Sequence, residues 1–269
     1  MVVQRFQAGQ LKVEVHPSSD AAGEAAAIAI SEYLQMLKNG AAGIGVVFAT
    51  GASQLNMLHA LTSIPDLPWT RIIGFHLDEY EGISPDHPAS FRKYLRERLR
   101  NQVAIGEFYE IDGNTADPDL MCREYIERLQ ATNPQICLLG IGENGHLAFN
   151  DPAEAKFDDP LAMKLVQLDV VCRRQQLAEG WFSSLEEVPQ RAFTLTIPTV
   201  FQIPKLFISI PGYRKAEAVR RTLVDPVATS FPATILRSHP DATVYLDQES
   251  AAGLSKEFGT VSELGAAQQ

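Results

Sequence analysis

A histidine and a carboxylate follow a short apolar run near the middle of the chain. Ile136–Leu139 is typical of a buried strand, three glycines including Gly142 precede His146, and Asp151 comes five residues later. Glycines at the carboxyl end of a parallel strand let the backbone approach a ligand closely, and histidine can exchange a proton near neutral pH. The segment therefore predicts a ligand site with proton-transfer chemistry. The alternative is a tight turn that carries a surface histidine.

The same glycines match the pattern G-x-G-x-x-G of dinucleotide-binding proteins. That pattern requires the last glycine to open a helix whose N-terminus binds the pyrophosphate. Here Pro152 follows after a few residues, and the residue before a proline is pushed out of helical conformation. We interpret the match as accidental.

A second set of residues is suited to binding an anion. Thr50, Gly51, Ala52 and Ser53 follow an apolar run and precede a predicted helix, whose free N–H groups can bind a phosphate. Capping by Ser53 alone is the alternative. Lys215 begins another helix after a strand and is the best candidate for a cation at that phosphate, although most lysines are simply solvated.

Two neighbouring acids end the third predicted strand. Strand side chains alternate, so one of Asp78 and Glu79 can face a ligand while the other bonds to backbone. A partly desolvated aspartate there suits a general base, because burial raises its pKa; a cap for the following loop is the alternative. His76 is expected to be packed in the core. Arg174, with Arg173, is a second possible source of positive charge near the site.

Strand-like and helix-like segments alternate along the chain, which predicts an α/β fold with a Rossmann-like parallel sheet sandwiched by helices. The predicted strands span 11–15, 44–48, 72–77, 108–111, 136–139, 164–168, 193–197, 206–210 and 243–246. The predicted helices span 20–37, 53–61, 90–99, 121–129, 214–223 and 233–237. No linker divides residues 1–269, so we expect one domain, frayed only over its last dozen residues.

The composition excludes several classes of protein. A net charge of −10 argues against a nucleic-acid or anionic-membrane binder, and no stretch approaches the ~20 apolar residues of a membrane span. The three cysteines, Cys122, Cys137 and Cys172, have no paired or zinc-ligand spacing. They are typical of reduced thiols in a cytoplasmic protein without a metal site.

Five motifs together resemble the glucosamine-6-phosphate deaminase/isomerase family, which is related to 6-phosphogluconolactonase. They are ATGAS, FHLDEY, GIGENGHLAFNDP, TLTIPT and PGYRKAEAV, and the similarity runs from about residue 47 to 247. The resemblance implies a Rossmann-like fold, frequent assembly into homo-oligomers, and conversion of glucosamine 6-phosphate to fructose 6-phosphate and ammonia without a cofactor. It also implies that the partner is a phosphorylated amino sugar.

The resemblance assigns roles to matching positions. Asp78 matches the aspartate that moves a proton between C2 and C1, and His146 matches the histidine that opens the sugar ring. Thr50 to Ser53 match the phosphate loop and Lys215 the phosphate lysine. Asn144 stands where the family usually has aspartate.

Two further departures bear on activity. Asp151 stands where the family usually has glutamate, and Gly180 where a phosphate-binding arginine is expected. The segment LAFNDP after the histidine favours the deaminase branch over the lactonases. A sugar-lactone-phosphate hydrolase and a catalytically weak sugar-phosphate-binding regulator are the alternatives.

Overall fold

The computed structural model describes residues 2–40 and 42–254. The strands in this part of the chain are β1 (Gln4–Ala8), β2 (Leu11–His16), β3 (Ile44–Phe48), β4 (Ile72–His76), β5 (Asp78–Tyr80), β6 (Glu107–Phe108), β7 (Ile136–Leu139), β8 (Met163–Gln167), β9 (Arg191–Leu195), β10 (Lys205–Ile210) and β11 (Ala242–Asp247). The helices are α1 (Ser19–Leu37), α2 (Leu55–Ser63), α3 (Phe91–Leu95), α4 (Pro118–Thr132), α5 (Val170–Ala178), α6 (Ile197–Phe201) and α7 (Ala216–Val224). The predicted fraying of the last dozen residues lies outside the described residues.

Eight strands form the main sheet, in the order β1-β2-β11-β10-β7-β3-β4-β6. Every pairing is parallel except that of β1 with β2 at the edge. Central strands such as β7 are buried along their whole length, as expected for a sheet covered on both faces. One face packs against α4, α6 and α7 and the other against α1, α2 and α3. The predicted α/β sandwich is confirmed.

The helix α1 shows how the sequence specifies these layers. Ser18 caps its first turn by accepting a hydrogen bond from the Ala21 N–H, as expected of a serine at a helix start. Its buried side chains recur at a helical period and include Ala26, Ile30 and Leu34, which turns one apolar face to the sheet. No helix within residues 2–40 and 42–254 has the length and apolar character needed to cross a bilayer.

Three strands lie outside the main sheet and form a second, antiparallel sheet in the order β5-β9-β8. The two predicted strands at 164–168 and 193–197 belong here, so the prediction that they extend the parallel sheet is wrong. The cause lies at Leu77, after which the chain departs from β4, and Asp78 pairs with Thr194 of β9. An aromatic cluster that includes Tyr80, Phe91 and Phe149 packs beneath this sheet.

The order of the strands reverses between β3 and β7. The chain passes from β3 to β4 on one side, whereas β10 and β11 lie on the other side of β7. The loops that follow β3 and β7 therefore diverge and leave a crevice at the carboxyl ends of the strands, where open α/β sheets bind their ligands.

Candidate active site

A cavity of about 620 Å³ occupies this crevice. The loops after β3, β7 and β10 and the start of β5 form its walls, and α5 covers one side. The following predicted site residues line it together: Thr50, Gly51, Ala52, Ser53, Asp78, Gly142, His146 and Lys215. Asn144 and Asp151 contact each other next to His146, whereas Arg174 is exposed on α5 away from the cavity.

The histidine loop folds back over its own glycine. A Cβ atom on Gly142 would lie 2.2 Å from Cε1 of His146, so only glycine fits beneath the imidazole. The Gly142 N–H donates to the His146 carbonyl at 3.0 Å. Nδ1 of His146 is 3.1 Å from Oδ1 of Asp151, an ion-pair distance, although the ring does not aim Nδ1 directly at that oxygen. The other ring nitrogen is left for a ligand.

Asn144 connects the two members of this pair. Its Oδ1 accepts the backbone N–H of His146 at 3.1 Å, and its Nδ2 donates to Asp151 Oδ1 at 2.9 Å. Asp151 is fully buried, and its other oxygen accepts the Asp169 N–H at 3.0 Å. Burial alone would raise the pKa of Asp151, but the adjacent His146 imidazole, helped by these two donors, holds that pKa below its ordinary value. Asp151 therefore stays a carboxylate beside the imidazole.

Asp78 faces the cavity from the start of β5 and is only 7% exposed. Among the described residues, none donates a hydrogen bond to its carboxylate. Burial, reinforced by the charge of Glu79, raises the pKa of Asp78 well above its ordinary value. A carboxylate with few stabilising contacts and a raised pKa is a competent general base.

The histidine that precedes these acids has a structural role. His76 is fully buried, its Nδ1 lies 2.8 Å from the Asp78 carbonyl, and its Nε2 accepts the Ile111 N–H at 2.7 Å. Burial lowers the pKa of His76 to about 3. A neutral ring with both nitrogens occupied fixes the backbone of β5, which confirms the expectation of a packed histidine.

The small residues after β3 form the predicted anion-binding loop. Gly51 has φ +91° and opens a short 3-10 turn, Ala52–Gln54, that leads into α2. The first hydrogen bond of this turn joins the Gln54 N–H to the Gly51 carbonyl at 3.1 Å. The amides of Ala52 and Ser53 therefore have no acceptor inside the turn and are available to an anion in the cavity.

Lys215 lies on the opposite loop, after β10. Only 9% of it is exposed, and its Nζ donates to the Ile141 carbonyl at 2.8 Å. Burial lowers the pKa of Lys215, and the carboxylates of Glu179 and Glu143 oppose that shift. The ammonium group is therefore positioned at the cavity wall with capacity for further acceptors.

The arginines of α5 do not supply the expected second cation. Arg174 points to solvent, and Arg173 donates to the carbonyls of Leu185 and Val188. The prediction that they are a second source of positive charge near the site is not met, because α5 turns its glutamines and Glu179 to the cavity instead.

Several lining residues were absent from the sequence prediction. Gln175 and Glu179 come from α5, and Gln175 Oε1 accepts the Glu143 N–H at 3.0 Å. Arg214 pairs with Glu143 across two loops. Asp169, which caps α5 by accepting the Val171 N–H, was the signal in the sequence that could have located this helix.

One group of described side chains has the donors for a metal ion. Ligand atoms of His146, Asp151 and Cys172 all lie within 4.8 Å of one another and are buried. Burial raises the pKa of the Cys172 thiol well above its ordinary value, as do the charges of Asp151 and Asp78. Since metals bind the thiolate, this thiol is a poor ligand unless the ion itself displaces the proton.

Comparison with known proteins identifies related chains along most of the sequence. Residues 17–245 match the family model of glucosamine-6-phosphate isomerases/6-phosphogluconolactonase. A glucosamine-6-phosphate deaminase of Exiguobacterium sibiricum is 36% identical over 215 residues, 80% of this chain and 83% of that one. One from Oenococcus oeni is 29% identical and covers 91% of this chain and 100% of its own length.

Solved structures are also similar to this chain along most of its length. The structure of a monomeric glucosamine-6-phosphate deaminase superposes with a TM-score of 0.82 at 28% identity and covers 90% of this chain and 99% of that chain. A 6-phosphogluconolactonase from Thermotoga maritima superposes with a TM-score of 0.71 at 18% identity, covering 88% and 99%. The latter likeness concerns the fold alone.

Proposed function

Because the chain belongs to the glucosamine-6-phosphate isomerase/6-phosphogluconolactonase family, we propose that it converts glucosamine 6-phosphate, or a close amino-sugar phosphate, to fructose 6-phosphate and ammonia. The observation that carries the proposal is that one cavity is lined by a buried carboxylate, Asp78, to which no described residue donates, by an imidazole, His146, and by an anion-binding loop. Those three features are the parts that isomerisation of a phosphorylated aldose requires.

The first step is opening of the sugar ring by His146. With Nδ1 beside Asp151, the other ring nitrogen accepts the proton of the C1 hydroxyl and returns it to the ring oxygen as the C1–O bond of the ring breaks. Asp151 stabilises the imidazolium that forms between these two transfers. Asn144 holds both groups in place.

The second step is proton transfer by Asp78. Its carboxylate removes the proton from C2 of the open chain while O1 of the aldehyde takes up a proton from the substrate's ammonium group, which gives a neutral enolamine. Asp78 then delivers the C2 proton to C1 and leaves a protonated imine at C2. The resulting C2 imine is hydrolysed by water, which releases ammonia and leaves the ketose. The raised pKa of Asp78 makes it a stronger base than an exposed aspartate.

The phosphate is bound at the ends of the 50–53 loop and the β10 loop. The amides of Ala52 and Ser53 and the ammonium of Lys215 supply donors there. With the phosphate bound there, C1 and C2 of the sugar lie beside Asp78 and His146. The position of Arg174 on the surface removes it from this proposal.

Side-by-side assays test the assignment. Purified enzyme is given glucosamine 6-phosphate with detection of ammonia, and 6-phosphogluconolactone with detection of lactone loss. We expect ammonia release that is abolished in Asp78→Asn. Hydrolysis of the lactone without ammonia release would instead assign the lactonase activity, and saturable binding with no product from either compound would assign a regulator.

We also propose that the enzyme is cytoplasmic and assembles as a homo-oligomer, as the resemblance implies. Light scattering of the purified chain measures the assembly directly, and a monomer at micromolar concentration would contradict it.

A further inference from the structure

A second cationic side chain lines the cavity, and the motif resemblance assigns it no role. Among the described residues that line it, the cationic side chains are those of Arg214 and Lys215. The same lining carries five carboxylates: Asp78, Glu143, Glu179, Asp247 and Glu249. A phosphate monoester is close to a dianion at neutral pH. Against this acidic lining, one partly engaged lysine is a weak counter-charge for it.

The turn that carries Arg214 is held rigidly. Gly212 has φ +89°, and its N–H donates to both carboxylate oxygens of Asp247 at 3.0 and 3.1 Å. The Lys215 N–H then donates to the Gly212 carbonyl at 3.0 Å. The backbone of Arg214 is therefore fixed beside Lys215, while its long side chain remains free to change partner.

The present partner of Arg214 is Glu143. Its guanidinium NH2 lies 2.7 Å from Glu143 Oε1, and the two side chains are 54% and 29% exposed. Pairs with this exposure contribute little to stability. A phosphate can accept two parallel hydrogen bonds from the guanidinium and carries more charge than a carboxylate. An incoming phosphate can therefore displace Glu143.

We propose that Arg214 is the second cationic side chain that binds the phosphate, after Lys215, and that Glu143 holds it in the absence of substrate. When a phosphorylated sugar enters, Arg214 exchanges the Glu143 carboxylate for the phosphate beside Lys215. The identity of the sugar rests on the proposed function, but the exchange itself depends only on the phosphate group.

Three variants test the exchange: Arg214→Ala, Glu143→Gln, and Arg174→Ala as the competing arginine of α5. Two quantities are measured for each, the Kd of inorganic phosphate by calorimetry at fixed ionic strength and the KM for glucosamine 6-phosphate. We expect Arg214→Ala to raise both about 10-fold or more, with kcat changed less than about threefold. Glu143→Gln is expected to lower both about two- to fivefold, and Arg174→Ala to leave both unchanged.

The proposal fails if Arg214→Ala binds phosphate within twofold of wild type, or if Arg174→Ala shows the loss instead. An unchanged affinity in Glu143→Gln would overturn the part assigned to that carboxylate. Circular dichroism and melting temperature check folding, and Arg214→Gln replaces the alanine variant if the latter does not fold. Because phosphate binding needs no turnover, a wild-type protein that binds phosphate through Arg214 but releases no ammonia would refute only the proposed function.

Discussion

Asp78 and Glu79 are neighbours in the chain, yet their carboxylates have opposite environments. Glu79 accepts five hydrogen bonds, from Tyr80, Phe91, Ser90 and twice from Arg92, and is fully buried. The Asp78 carboxylate faces the cavity, and none of the described residues donates to it. Because side chains alternate along β5, Glu79 has a structural role, whereas Asp78 faces the cavity and is reactive.

Replacing Asp78 by its amide should therefore reduce activity, whereas replacing Glu79 by its amide should reduce stability. We expect Asp78→Asn to reduce kcat by several orders of magnitude with little change in fold, because the base is removed. Glu79→Gln should instead lower the free energy of unfolding by about 2–4 kcal/mol, since a buried acceptor of charged and backbone donors is weakened. Ammonia assays and urea denaturation measure the two effects. Near wild-type turnover in Asp78→Asn would contradict the role of Asp78.

The raised pKa of Asp78 gives a pH dependence with a definite sign. The unfolded chain ionises this group near 3.8, but the folded protein does so only at higher pH. Stability should therefore fall as the pH rises from the unfolded toward the folded pKa. Asp78→Asn removes this penalty, so we expect it to melt at a higher temperature than wild type at neutral pH, with a difference that shrinks in acid. A constant difference at all pH values would contradict the shift.

The parts of the fold that the sequence predicted are those set by local patterns. The strands β3 and β7 lie at the predicted residues because apolar runs end abruptly at small residues or glycine. The partition of strands between two sheets was not predictable, because only the departure of the chain at Leu77 and the pairing of Asp78 with Thr194 decide it.

The candidate site likewise contains contacts that the sequence predicts and contacts that it does not. His146 and Asp151 share one loop, so their proximity was predictable from spacing. The pairing of Arg214 with Glu143 joins loops 71 residues apart (214 − 143), and only the positions of β7 and β10 side by side bring them together. The prediction of Arg174 near the site is wrong. The direction of a side chain on α5 depends on how that helix packs, which the sequence does not show.

Asn144 offers a test of how the imidazole is positioned. Asn144→Ala removes the donor to Asp151 and the acceptor of the His146 N–H, so we expect kcat to fall about 10-fold with KM nearly unchanged. Asn144→Asp restores the acceptor but sets a second carboxylate next to Asp151. Like charges raise the pKa of one member of such a pair, so the acid limb of the kcat/KM profile should move to higher pH. Identical pH profiles for wild type and Asn144→Asp would contradict this arrangement.

Lys215 is expected to act in binding and not in proton transfer. Lys215→Met keeps the length of the side chain but removes its charge, so KM should rise about 10²-fold with a smaller effect on kcat. Lys205→Met is the matched control, because Lys205 pairs with Asp241 at the opposite end of β10. Steady-state kinetics of both variants measure the difference. A larger effect on kcat than on KM would place Lys215 in the chemical step.

Gly142 should be intolerant of any side chain. A methyl group there would lie 2.2 Å from the His146 ring, a contact that must displace the imidazole from Asp151. We expect Gly142→Ala to reduce kcat by about 10²- to 10³-fold, while the chain still folds because the ring can swing into the cavity. Gly253→Ala is the matched control, since its new methyl group would meet neighbours at 3.5 Å or more. Ammonia release and melting temperature of the two variants decide the matter, and equal turnover in both would show that His146 does not depend on this glycine.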